Sequence, residues 1–377
     1  VGDGVLYFAL GWYASGHGAH VAGVVLSLVL VPRTLLLLVG GTLGDRWGLR
    51  RTLVRTQATM LVVLLAAASA DVLLGRSAAG LGLLALAIGV VSAFALPASG
   101  AFPRLFADDD GLPRLMATVG TVLQTARLVG PPAGGLVVAL AGLAGGLVAA
   151  ASTAAVLLAV LVVVRPPRAE STSSPRGSTR AGLSAARAAP GMPALLTSVA
   201  LVAGTLIPLL SLSVPLLGRQ HGWGALGTGT VESAWVLGSI GVTLVVARRG
   251  SLARPVLALV GGPVVAGIGV LLLAVAAPLQ VALVGALVMG VGTAAYTSHV
   301  FPLVVRRTPE GMLARFQALL GVVQSAPMLI GTVGLGVLGG SVGVATATVT
   351  AGMVCACAGL VVATSEPLRS ARLWDES

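Results

Sequence analysis

Apolar stretches of membrane-crossing length recur twelve times along the chain, at residues 3–17, 21–44, 53–74, 80–103, 114–138, 140–164, 193–217, 228–247, 255–276, 280–304, 316–337 and 341–363. About 20 apolar residues wound as a helix cross the hydrocarbon of a bilayer. Within that hydrocarbon every backbone N–H and C=O must be bonded inside its own segment, so such runs read as helices. The expected fold class is therefore all-α, a polytopic membrane protein of 12 transmembrane helices. Composition agrees. Of 377 residues, 56% are hydrophobic and 9% are charged, whereas a soluble domain carries roughly 25% charged residues. A soluble enzyme, a disordered chain and a fibre are all excluded. Val1 already lies within an apolar run, so the first span is expected to begin upstream, behind a trimmed leader. No cleavable signal peptide is legible.

The positive charge is all arginine, 23 residues against 12 acidic ones, for a net charge of +11. In a soluble chain that balance would suggest nucleic-acid binding. Placement decides otherwise. Nineteen arginines follow even-numbered spans or lie in the C-terminal tail, and only Arg76 and Arg219 follow odd-numbered ones. Positive residues favour the cytoplasmic side, which puts both termini and the connection 165–192 there. No nucleic acid is expected as a partner. The connection starts Arg165-Pro166-Pro167-Arg168 and continues rich in Ser and Thr, a flexible composition. Its second half, 180–189, reads as a short amphipathic helix on the membrane surface.

The expected organisation is thus a six-helix half at 1–164, the linker 165–192, a second six-helix half at 193–364 and a tail at 365–377. A weak internal repeat supports it. Phe102-Pro103 matches Phe301-Pro302, Gly111 matches Gly311, and Gln124-Thr125-Ala126 matches Gln324-Ser325-Ala326. Two pseudo-symmetric six-helix halves follow, an arrangement common among secondary transporters. Cys355 and Cys357, two residues apart on a helix, point in different directions and suggest neither a disulfide nor a metal site.

Two motifs carry a resemblance. Gly41-Thr42-Leu43-Gly44-Asp45-Arg46-Trp47-Gly48-Leu49-Arg50-Arg51-Thr52-Leu53 resembles the loop between the second and third spans of major facilitator superfamily transporters. It departs at Leu49, where the family usually has a basic residue. Gly41 and Gly48 suit a tight turn, and the arginines suit an anionic lipid interface. The resemblance implies that Asp45, with Arg46, Arg50 and Arg51, latches the cytoplasmic side, Asp45 meeting the chain near Met312 to Phe316. Gly130-Pro131-Pro132-Ala133-Gly134-Gly135 resembles the fifth-span element of the exporter branches, chiefly drug:proton antiporters. Gly2-Asp3-Gly4, Pro32-Arg33, Phe102 to Leu105 and Gln124 to Arg127 are similar to the enterobactin-exporter and macrolide-efflux branch. The arginine that many drug antiporters carry within span 4 has no counterpart here.

Charge inside a bilayer is costly, so each ionisable residue within a span is a functional candidate. These are Asp3, Arg33, Arg127, Glu232 and His299, with structural pairing the alternative for Arg33 and a satisfied packing role the favoured one for His299, close to the cytoplasmic end of its span. Arg127 has Gln124 one turn before it, and Gln324 is the repeat equivalent of Gln124. Glu232, the acidic group among the second-half spans, has Trp235 at i+3 on its face. Asp3 or a backbone carbonyl is an alternative, structural partner for Arg127. Tyr7, Trp12, Tyr13, Trp235 and Tyr296 are expected to line a cavity or anchor at the interface.

These readings converge on a bacterial inner-membrane exporter of a small amphipathic or hydrophobic compound: a drug, siderophore or secondary metabolite. It would be driven by protons, with no cofactor and no metal, in contact with membrane lipids and acting as a monomer. The alternatives are an importer or facilitator, a lipid-translocating protein, or a non-transporting membrane protein. An enzyme is not expected, because no metal-ligand cluster, phosphate-binding glycine loop or nucleophile–base pair is legible.

Overall fold

Every regular element among the described residues is helical. The computed structural model describes all residues except 76, 107–110, 166–188, 251, 253, 309–312 and 370–377, and side chains are not described at 37–46, 101, 104, 112–113, 117, 313–315 and 317–318. The helices are α1 (Gly2–Ser15), α2 (Ala19–Trp47), α3 (Leu49–Leu74), α4 (Ala78–Ala101) and α5 (Leu112–Val163), then α6 (Met192–Pro208) and α7 (Val214–Gln220). There follow α8 (Gly224–Arg249), α9 (Pro255–Val275), α10 (Leu279–Arg307), α11 (Leu313–Ser341), α12 (Val344–Ala363) and the short α13 (Glu366–Arg369). Ten helical stretches among the described residues are long and apolar enough to cross a membrane. Their outward faces are leucine and valine: Leu73 and Leu74 are 80% and 86% exposed. Water would penalise such a surface, whereas hydrocarbon accepts it.

Several expected boundaries are corrected. Spans 114–138 and 140–164 fall within one helical stretch, α5, broken at Gly142 (φ 69, ψ −162). Those angles are open to glycine and closed to side-chain-bearing residues, so the turn between the two arms takes a single residue. The span expected at 193–217 is interrupted by a π turn at Leu209–Ser213 between α6 and α7. Pro215 has no N–H for an α-helical bond to Ser211, and the wider turn accommodates that loss. In the motif after the second span, Gly41 is helical and not part of a turn. α2 runs to Trp47, and Gly48 alone makes the bend, with φ 85 and ψ 143. Phe102-Pro103 lies in a 3-10 turn, while its repeat partner Phe301-Pro302 lies inside α10. The shared dipeptide does not carry shared local geometry.

The chain clusters into two units, Val1–Pro175 with Gly224–Thr230 and Arg176–Trp223 with Val231–Ser377. In the first, α1 and α3 pack on α5, and α2 and α3 pack on α4. Leu53, Ala98 and Leu161 meet in a buried cluster under Phe102. In the second, α9 packs on α10 and α12, and α6 packs on α11 and α12. Small residues permit these approaches, as membrane helices require.

Arginine fastens each unit at its polar end. Arg50 donates from Nε to the Leu161 carbonyl at 3.0 Å and from Nη2 to the Val162 carbonyl at 2.9 Å. The last carbonyls of a helix have no partner within it and carry its negative dipole end, so the guanidinium caps α5. Arg307 does the same service for the second unit. It donates from Nη1 to Pro190 O at 2.9 Å and from Nη2 to Pro367 O at 2.8 Å, joining the segment before α6 to α13. Arg50→Ala should cost about 1–2 kcal/mol, since a charged donor's hydrogen bonds are the stronger kind. A lower unfolding midpoint in detergent would show this; an unchanged midpoint would remove Arg50 as a fastening.

Candidate functional site

Within the first unit, three helices bring polar groups together in otherwise apolar surroundings. Tyr7 of α1 is half-buried. Ser92 on α4, the Arg33 guanidinium on α2 and Asp3 on α1 are its polar neighbours. Sequence reasoning named Asp3 and Arg33 separately. It mentioned Tyr7 only as an aromatic and missed Ser92, because nothing in their spacing shows that α1, α2 and α4 meet there. Pro32 shapes the place: a side chain at Gly89 of α4 would collide with the Val29 carbonyl and the Pro32 ring. Glycine at 89 therefore lets α4 approach α2 closely at Val29 and Pro32.

Arg127 is not part of this group. It is exposed on α5, one turn before Gly130, and Gln124 is half-buried. Asp3 is also exposed, and the two form no ion pair among the described residues. The exporter-like element explains the geometry. Gly130 and Gly134 stand one turn apart and receive α1: added Cβ atoms would meet Gly4 Cα and Val5 Cα, each at 3.0 Å. Pro131 and Gly135, also one turn apart, turn toward Ala225–Gly229, a segment of the same unit. The motif is thus a two-sided contact surface, each side lined at i, i+4 spacing.

The loop motif divides between described and undescribed side chains. Gly41, Asp45 and Arg46 are helical in backbone, but their side chains lie outside the described residues, as do Met312 and the side chains at 313–315 of the expected partner segment, whose last residue, Phe316, is buried. Gly48 makes the bend. Arg50 caps the end of α5, and Arg51 is exposed. Arg55, one turn on, places its guanidinium 5.0 Å above the Trp47 ring, a cation–π pair.

In the second unit, α8 carries Glu232 and Trp235, both half-buried. Trp235 Nε1 donates to Thr293 Oγ1 of α10 at 3.4 Å, and Ser239 Oγ donates to the Gly290 carbonyl at 3.1 Å. A Cβ at Gly290 would collide with the Trp235 carbonyl, so α8 and α10 are in backbone contact. Among the described residues, no side chain ion-pairs with Glu232. Gln324 of α11 is half-buried.

Tyr296 is placed differently from a cavity-lining role, whereas His299 is the satisfied packing histidine that its place near the end of its span suggests. Tyr296 is 2% exposed and shares a 2.6 Å hydrogen bond with Ser198 of α6. It ties α10 to α6 and has no free surface. His299 is also 2% exposed. Its Nε2 accepts from the Leu252 N–H at 3.0 Å, and Nδ1 lies 2.8 Å from the Ala295 carbonyl. A neutral ring that accepts at Nε2 carries its proton on Nδ1, so both nitrogens are satisfied by backbone. Among the described residues, no three His, Cys, Asp or Glu groups could hold a metal ion. Cys355 and Cys357 are free, one buried and one exposed.

The sequence model of the Major Facilitator Superfamily matches residues 1–332. No curated protein matches the chain by sequence. Solved structures match by fold. A POT family transporter in complex with 5-aminolevulinic acid superposes with a TM-score of 0.70 at 14% identity, over 98% of this chain and 96% of that one. The xylose transporter XylE from E. coli, in an inward open conformation, gives 0.69 at 14% identity, over 97% and 94%. A bacterial homologue of the iron transporter ferroportin gives 0.68 at 18% identity, over 96% and 95%.

Proposed function

Because the chain belongs to the Major Facilitator Superfamily and is a multi-span secondary transporter, we propose that it exports a small amphipathic or hydrophobic compound in exchange for protons, by alternating access. Glu232 carries this reading. It is a half-buried carboxylate within a spanning helix, beside Trp235, with no ion-pair partner among the described residues. A group kept there at the expense of insertion is a functional one. Proton binding changes its charge, and a ligand moves a conformational equilibrium only by binding the two states differently. The Gly130 to Gly135 surface on α5 supports export, since that element resembles the exporter branches.

The distribution of arginines supports a bacterial inner-membrane location with both termini cytoplasmic. The chain would work as a monomer among membrane lipids, with the proton gradient as its energy source and no cofactor. Proteoliposomes with an imposed pH gradient, supplied with a labelled amphipathic compound, test the direction. Accumulation on the face that corresponds to the cell exterior is expected. Movement solely in the opposite direction would overturn export.

A further inference from the structure

Arg50, Arg51 and Arg55 stand on the first two turns of α3, and the fold divides them. Arg50 is directed to the carbonyls that end α5. Arg51 and Arg55 are exposed and, four residues apart, share one face of the helix, about 6 Å apart along its axis. Among the described residues neither donates a hydrogen bond or forms an ion pair. Side chains lean toward the N-terminus of their helix, and Arg55 follows that rule. Its backbone is six residues past Leu49, the first residue of α3, ~9 Å along the axis. Its guanidinium nevertheless lies 5.0 Å from the centre of the ring of Trp47, the last residue of α2. Trp47 is exposed, and tryptophan settles at the level of lipid headgroups. The Arg55 charge is drawn back to that level while its apolar stem stays along the helix. Beyond Thr59 the same face of α3 is apolar, with Val62, Leu65 and Leu73 exposed. The Ser69 hydroxyl on that face donates to the Leu65 carbonyl at 2.9 Å.

We infer that Trp47, Arg51 and Arg55 form a site for one anionic phospholipid, drawn from the leaflet that meets this end of α3. The phosphodiester oxygens lie between the two guanidinium groups and accept from both, since arginine's planar fork of donors matches a phosphate. Two positive charges facing one phosphate leave an excess of positive charge. A zwitterionic lipid would bring a further cation into it, whereas phosphatidylglycerol brings none. Trp47 packs at the level of the glycerol, and an acyl chain runs along Val62 and Leu65. Headgroup and chain thus each meet their complement in the order in which a lipid presents them. A soluble phosphate would meet the arginines alone and leave the apolar face unused. The occupant touches the end of α2 and the start of α3, so it braces the bend at Gly48. This assignment is independent of the direction of transport.

The test uses the full chain in a non-ionic detergent, with dioleoyl phosphatidylglycerol or dioleoyl phosphatidylcholine added and bound lipids counted by native mass spectrometry. The first phosphatidylglycerol is expected to bind about 30-fold more tightly than phosphatidylcholine, the attraction of two juxtamembrane arginines for an anionic lipid. Arg51→Gln and Arg55→Gln should each cost about 5-fold on the same scale, and the double variant should abolish the preference. Replacing both by Lys keeps the charge without the fork and should cost less than the glutamine pair. Arg248 and Arg249 are exposed at the end of α8; replacing both by Gln removes as much charge and should leave the first lipid's affinity unchanged. Unfolding temperatures in detergent without lipid accompany each variant, and where the glutamine pair lowers its own, the single variants decide. Equal affinity for the two lipids, unchanged affinity in folded Arg51→Gln and Arg55→Gln, or an equal loss in the α8 variant would overturn the site. Displacement of the lipid by inorganic phosphate would overturn it too, by showing a site for the free anion.

Discussion

Glu232→Gln is expected to abolish proton-driven transport while substrate-for-substrate exchange continues. The substitution is nearly isosteric and replaces a group that has no ion pair among the described residues, so α8 should fold as before. What disappears is a charge that a proton can neutralise. Without it, the outward- and inward-facing states no longer differ in proton affinity at this position, and a pH gradient has nothing to act on there. Accumulation driven by the gradient should fall about 100-fold or more, since a chemically silent group cannot couple; a tenfold change in affinity corresponds to about 1.4 kcal/mol. Exchange, which needs no net proton movement, should stay within a few-fold of the native rate. Both are read in proteoliposomes, with and without an imposed gradient. If gradient-driven accumulation survives, Glu232 has no part in coupling; if both activities vanish, the residue acts in binding or assembly instead.

The second large effect concerns assembly. Gly262 and Gly269 on α9 face Gly292 and Gly285 on α10, two pairs seven residues apart with Ala266 and Met289 between them. Added Cβ atoms at these positions would meet backbone on the opposite helix: at Gly262 the Gly292 carbonyl at 2.8 Å, at Gly285 the Gly269 carbonyl at 2.9 Å. At Gly292 the atoms met are Ala266 N and the Gly262 carbonyl. Backbone cannot rotate aside as a side chain does. Gly292→Val should therefore prise the two helices apart, at a cost at or above the about 1–3 kcal/mol usual for overpacking, and little monodisperse protein should be recovered. A control lies on the same helix pair. Gly261, next to Gly262 on α9, has nothing within 4 Å of its added Cβ, and Gly261→Ala should stabilise by up to about 1 kcal/mol through helix propensity. Chromatography and thermal unfolding in detergent measure both. Equal behaviour of the two variants would mean that the seam does not hold the unit.

How much of this was legible in the sequence depended on whether one segment sufficed to decide it. The spans were legible because a bilayer leaves an apolar run few alternatives to a helix, and the family loop was legible because its residues are contiguous. Boundaries failed where one residue outweighed the average of its neighbours. Gly142 turns α5 without any polar break, and Pro215 widens a turn inside an otherwise uniform run. Side-chain partners were the least legible. Arg50 was legible as a charge, but its acceptors are 111 and 112 residues away at the end of α5. Tyr296 looked like a lining aromatic until Ser198 was placed beside it. Tyr7 and Ser92 gained meaning only when α1, α2 and α4 were assembled. Sequence listed the charges, and only the fold decided which of them share surroundings.

The two arginine fastenings bear on how a working cycle distributes its motion. The acceptors of both guanidinium groups are backbone carbonyls, which do not titrate. Each holds helix ends within its own unit, α3 to the end of α5 in one, and the chain before α6 to α13 in the other. Deformation during turnover should consequently be absorbed elsewhere than at these ends. Spin labels at Arg51 and Val163, flanking the first fastening, should report one narrow distance distribution with or without substrate and at either extreme of pH. The same labels in an Arg50→Ala background should broaden it.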